Sequence, residues 1–270
     1  MGTPAPEPRS GLVQMLLVDP DPDLAALRPL GGFFVLRTTT STTTATAGRA
    51  SAPLPTLAET YETVTSDGHR NALTLRVATV ARRLRTSEPR VSASIAHQGL
   101  AARLWSTALA CAALYGRPPD LGAGLLRWDC AAPAPDDLWL TGVRPLSGDS
   151  ATLADTVLHG HLHPLGEALR ARYGVAPGLL WGNAGSALAG AARELDRWAR
   201  TNGRTDVADR ARALTDDLFA HPLLRTTGTR TGTAFRRRSC CLYYRVPGGG
   251  VCGDCCFTRP PRSSPAAASG

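Results

Sequence analysis

RRRSCCLYYRVPGGGVCGDCCFTRP, residues 236–260, holds five of the seven cysteines in a chain of 270 residues. Its reading divides the sequence in two, because no other stretch has this density of thiols. Cys240 and Cys241 are adjacent, ten residues separate Cys241 from Cys252, and Cys252 with Cys255 forms a CxxC, giving CCx10CxxC. A CxxC turn lets two thiolates converge on one metal, and Gly253 inside it allows the backbone to curl so that its N–H can point at sulfur. Neighbouring side chains diverge, so Cys240 and Cys241 need a locally turned backbone or a cluster wide enough to be gripped at two points. The pattern therefore argues for two metals rather than one. A single zinc site takes two knuckles of C-x2-4-C type, and the spacer is missing between Cys240 and Cys241. A four-thiolate iron-sulfur cluster fits better; zinc and a thiol–disulfide site stay open as alternatives. Pro247 and Gly248 to Gly250 give a loop almost free of side chains between the ligand pairs, able to wrap an inorganic core and donate N–H groups.

Working outward, the remaining chain is large enough for a core, with 43% apolar residues. Charge says less than it first suggests. The formal net charge is +8, yet the sequence contains no lysine, so all thirty basic residues are arginines. Such a bias follows from GC-rich coding, which weakens a pI near 9.6 as a sign of nucleic-acid binding; no nucleic-acid partner is expected. GLVQMLLV after Arg9 lacks a small-residue cleavage site before the Asp/Pro cluster at 19–23, so it does not read as a signal peptide. No uninterrupted apolar run reaches the roughly 18 residues of a spanning helix, since Arg103 and Arg193 break the best two. A soluble cytoplasmic protein is expected, with peripheral contact at the inner face of the membrane allowed.

The periodicity predicts an α+β fold: a helix-rich body, a short strand pair, and the small C-terminal cysteine-bearing module. DLAALRPL reads as a short helix and Phe33 to Leu36 as a buried strand. The threonine-rich stretch at 38–56 has too little apolar content to pack. Leu57 to about Leu84 reads as an amphipathic helix, and Pro89 to Gly116 as one or two packed helices. Leu125 to Val143 reads as a strand pair, and 151–171, 184–200 and 206–220 return to helix. The expected organisation is an N-terminal segment over 1–56, a body over 57–225, the cluster module over 226–259 and a tail over 260–270.

The cysteine signature resembles that of the FhuF-like siderophore-iron reductases. EPRVSASIAHQGLAARLW, HPLGEAL and LLWGNAGSALAG are also similar to the actinobacterial branch of that family. The resemblance implies a [2Fe-2S] cluster on Cys240, Cys241, Cys252 and Cys255 that passes an electron to a ferric hydroxamate siderophore. It implies a siderophore-binding body and an electron donor such as a ferredoxin or flavin reductase, for which no flavin or nicotinamide motif is visible here. The alternative is a non-catalytic module, with metal or cluster, that binds siderophore or senses redox state. Cys256, making CxxCC, departs from the pattern; it either substitutes for Cys255 or, the favoured reading, is a free thiol beside Phe257. Cys111 and Cys130 read as ordinary thiols.

Other candidates weigh less. Arg236, Arg237, Arg238, Arg245 and Arg259 flank the ligands, where they either favour the reduced cluster or form a solvated run. Tyr243 and Tyr244 either shield the cluster or pack under the loop. His159, His161 and His163 would share one face of a strand as metal ligands, but Pro164 opens a helix better, leaving them in its approach. His97 is expected as a satisfied core or boundary histidine. Gly182, Gly185 and Ser186 lack a P-loop lysine and read as close helix packing, with Asn183 as a helix cap.

Overall fold

Pro89–Tyr115 forms one 27-residue helix, α4, around which the molecule is built. Pro89 sits in its first turn, where a missing N–H costs nothing, and Gly116 ends it at φ 70°, the left-handed conformation that glycine adopts without a Cβ penalty. Small residues such as Ala93, Ala101, Ala108 and Ala112 are buried along it, so other helices approach it closely from several sides. The structure, a computed structural model, describes residues 22–38, 54–62 and 71–261. The apolar run at 12–18, the threonine tract and the tail after 261 lie largely or wholly outside them.

Before α4 come α1 (Pro22–Ala25), α2 (Leu57–Tyr61) and α3 (Ala72–Leu84). The helix expected from Leu57 to Leu84 is therefore two. Thr56 and Glu59 make a capping box at the start of α2, and Asn71 caps α3 through the Leu73 N–H. After α4, α5 (Ser150–Leu153) continues through a π-helical run (Ala154–Leu162) into α6 (His163–Tyr173). α7 (Pro177–Thr201) and α8 (Thr205–Ala220) follow, and α7 packs along α4. Helix thus dominates, with a few short strands, as an α+β chain should.

The expected strand pair is β2 (Leu126–Trp128) and β3 (Leu138–Leu140), antiparallel with Leu126 opposite Leu140 and Trp128 opposite Leu138. β1 (Arg37–Thr38) adds parallel to β3. The strand expected at Phe33 to Leu36 begins instead at Arg37, and Phe33 is 47% exposed. The cause is a side chain from the centre of α4. The buried guanidinium of Arg103 donates to the carbonyls of Gly32, Phe33 and Val35 at 3.0, 2.6 and 2.6 Å, while Nε pairs with Asp137 at 2.9 Å. Carbonyls taken by Arg103 are unavailable to a sheet.

The last elements are a hairpin, β4 (Gly228–Thr231) and β5 (Ala234–Arg237), and a single 3-10 turn at Tyr243–Arg245. β5 lies against α7. Gly182 and Gly185 of α7 face Ser239 and Thr227, where a Cβ would collide with either hydroxyl. The small residues of WGNAGSALAG thus admit the C-terminal module on one side, at Gly182 and Gly185, as well as the close packing of α7 on α4.

Candidate metal centre

β5 alternates burial: Phe235 and Arg237 point inward, Ala234 and Arg236 outward, as the period of a strand requires. Three residues beyond Arg237 the chain reaches Cys240 and Cys241, then turns through Leu242, which takes φ 68°. A left-handed leucine is costly by about 1 kcal/mol or more. It turns the backbone after the adjacent cysteine pair and brings the Leu242 N–H to Cys240 Sγ at 3.2 Å. Gly249 is equally constrained, since a Cβ there would stand 2.5 Å from the Tyr243 carbonyl. The chain then returns to Cys252 and Cys255, closed by the Cys255 N–H on the Cys252 carbonyl at 3.0 Å.

The thiols meet across this loop. Cys241 Sγ lies 3.5 Å from Cys252 Sγ, and their hydrogen bond lowers the Cys241 thiol to about 7 while raising that of Cys252. Burial raises Cys240, which the neighbouring Cys256 and Cys255 push further the same way. Phe257 N–H points at Cys255 Sγ at 3.4 Å. None of these cysteines is in a disulfide. Cys241 is buried and Cys240, Cys252, Cys255 and Cys256 are half-buried. Cys256 therefore stands in the same group of thiols as the four residues of the spacing pattern.

Asp254, inside the CxxC, anchors the loop to α7. Its carboxylate accepts from Ser186 Oγ at 2.6 Å and pairs with Arg193 at 3.1 Å, while its carbonyl accepts the Arg237 N–H at 2.9 Å. On the other side Ser94 Oγ of α4 donates to the Cys241 carbonyl at 2.8 Å, and Asn183 donates to both the carbonyl and hydroxyl of Ser94. Asn183 is thus no cap. It lies buried inside α7, because that helix begins at Pro177, seven residues before the expected start.

A cleft of about 480 Å³ opens beside the module. Phe33, Gln98, Ser106, Arg193 and Glu194 line it together with Cys252, Gly253 and Asp254 of the module.

Two regions of the chain match known families. Residues 131–234 match the family described as ferric iron reductase FhuF-like transporter, and residues 237–257 match the FhuF 2Fe-2S C-terminal domain. Over these two regions the chain is similar to the FhuF-like family. Its C-terminal module is a [2Fe-2S] domain, and the matched segment of that domain runs from Arg237 through the last cysteine. No curated protein matches the chain. The residues of this FhuF-like chain fit the group: thiols in two opposed sets, backbone N–H groups aimed at Cys240 and Cys255, and a buried Arg237 Nε without a hydrogen-bond partner.

Elsewhere the sequence candidates sort differently. His161 is buried, with Nε2 on the Leu121 carbonyl at 2.6 Å and Nδ1 on the Tyr61 hydroxyl at 2.8 Å, and burial depresses it to about 4. His159 stacks edge-on with His221 and His163 is exposed, so the three do not share a face. Among the described residues no group of three or more His, Cys, Asp or Glu is gathered closely enough to hold a single ion. His97 is buried but not satisfied: its Nδ1 lacks a partner, and burial, then the Arg237 charge, push it down to about 3. Tyr244 packs edge-on against Phe257, whereas Tyr243 is exposed. Sequence reasoning did not single out Asp254 or Ser94, and it read Ser186 as a small packing residue rather than as the partner of Asp254. An aspartate inside the CxxC was the available signal.

Proposed function

We propose that Cys240, Cys241, Cys252 and Cys255 hold the cluster and that this chain reduces ferric iron carried by a hydroxamate siderophore, on the cytoplasmic side of the membrane. The observation that carries this reading is the cleft lined in part by Cys252: an acceptor seated there would lie beside a proposed cluster ligand. When bound, the cluster supplies one electron at a time. The chain's own part is to seat the acceptor between α4, α7 and the 30–34 turn, with Gln98, Ser106, Arg193 and Glu194 as the polar groups available to a chelate. One electron converts bound Fe(III) to Fe(II), and hard hydroxamate oxygens hold the larger, softer ion far less well. The electron is replaced by a one-electron donor such as a ferredoxin or a flavin reductase. No described helix is long and apolar enough to cross a membrane, so contact with the inner face would be peripheral.

The test is to reduce the protein anoxically, remove the reductant, and mix it with a ferric trihydroxamate in the presence of a ferrous chelator. Cluster reoxidation with about one Fe(II) trapped per electron supports the proposal. A cluster that stays reduced while the chelate remains ferric contradicts it and favours the binding or sensing alternative.

A further inference from the structure

Five arginines surround the cysteines in sequence, and the fold separates one from the rest. Arg236, Arg238, Arg245 and Arg259 are exposed. Arg236 donates to the Cys256 carbonyl and Arg245 pairs with Glu88 at 2.7 Å. Arg237 is 2% exposed. Its guanidinium donates to the amide oxygens of Asn183 and of Gln98 and reaches the Cys252 thiol, while its Nε has no nitrogen or oxygen partner. His97 beside it is neutral, depressed by burial and then by the Arg237 charge, and the Asp254 carboxylate is taken by Ser186 and Arg193. Among the described residues no carboxylate forms an ion pair with Arg237. The contrast is Arg103, equally buried, whose charge is met by Asp137 and three carbonyls.

A buried guanidinium without a counter-charge is too costly for a fold to keep unless something anionic completes the site. The thiols are what lies next to it. Its own N–H donates to the carbonyl of Asp254, inside the CxxC, at 2.9 Å, and the Gln98 that its guanidinium holds lines the same cleft as Cys252. Four thiolates, two sulfides and two ferric ions sum to about −2, and reduction makes this −3. We propose that Arg237 is the built-in counter-ion of the [2Fe-2S] cluster, held by Asn183 and Gln98 so that its fixed charge favours the reduced state. The other four arginines, solvated or already paired, contribute little to that balance. The assignment rests on the four-cysteine reading proposed above.

The experiment is a dye-mediated redox titration of the holoprotein, followed by EPR, for wild type, Arg237→Gln, Arg237→Lys and the exposed control Arg238→Gln. Arg237→Gln should shift the reduction equilibrium at least tenfold toward the oxidised form, about 59 mV lower for one electron. Arg237→Lys and Arg238→Gln should stay within about threefold of wild type. An unchanged potential in an Arg237→Gln protein that keeps its iron overturns the proposal. If Arg237→Gln cannot retain the cluster, Arg237→Lys decides: retention with a near-wild-type potential supports a role for charge, and loss in both variants assigns Arg237 to shape alone and overturns it. Cysteine variants report on the ligand reading through iron loss, whereas these report a potential in iron-loaded protein, so the two can fail separately.

Discussion

Asp254 offers a quantitative check on how the cluster loop is fastened to the helical body. Its side chain is 10% exposed and that of Arg193 31%, with 3.1 Å between Oδ1 and the guanidinium and a 2.6 Å bond from Ser186 to Oδ2. At this separation two unit charges attract by about 5 kcal/mol at an effective dielectric constant near 20. Desolvation and the solvent reaching Arg193 cancel most of that, leaving a coupling of about 1–2 kcal/mol. Asp254→Ala removes the pair and strands the Ser186 hydroxyl, which should cost about 3 kcal/mol. Arg193→Ala should cost about 1–2 kcal/mol, because Asp254 keeps Ser186. In a double-mutant cycle by urea denaturation of the holoprotein, the double variant should be more stable than the sum of the singles by about 1–2 kcal/mol. Cluster bleaching should also precede loss of helical signal in Asp254→Ala, since only the loop is unfastened. Additivity within about 0.5 kcal/mol would refute the idea that this pair holds the loop.

Two further outcomes are expected. Burial depresses His161 from its ordinary 6.5 to about 4, so the unfolded chain binds the proton first on acidification. The neutral imidazole then contributes stability above pH 6.5 that is lost as pH falls toward 4, up to about 3 kcal/mol. His161→Leu should flatten that limb of a stability–pH profile, and an unchanged slope would show that another group carries it. Cys256→Ser should keep the iron content and EPR lineshape of the wild type while Cys255→Ser loses or alters both; the reverse pattern would make Cys256 the fourth ligand.

The cysteine module was legible because its spacing states a chemistry without any tertiary information. Gly116 after α4 and the alternation at Leu126–Leu140 were readable for a similar reason: each is a local rule. What escaped reading depended on partners far along the chain. Phe33 to Leu36 has strand composition, but Arg103, about seventy residues away, takes its carbonyls. Asn183 looks like a cap until the helix is seen to begin earlier, and its burial follows from meeting Ser94 and Arg237. Arg237 has the same side chain as its neighbours on either side. Only the two-residue period of β5, visible once that short segment is known to be a strand, turns it inward and leaves Arg236 and Arg238 in water.

EPR of anoxically purified, dithionite-reduced protein, with iron and acid-labile sulfide quantified on the same sample, tests the central assignment most directly. A rhombic S = 1/2 signal with about two irons and two sulfides per chain, lost when Cys240, Cys241, Cys252 or Cys255 is changed to serine, is the predicted result. An EPR-silent protein with no sulfide and about one zinc per chain would contradict it.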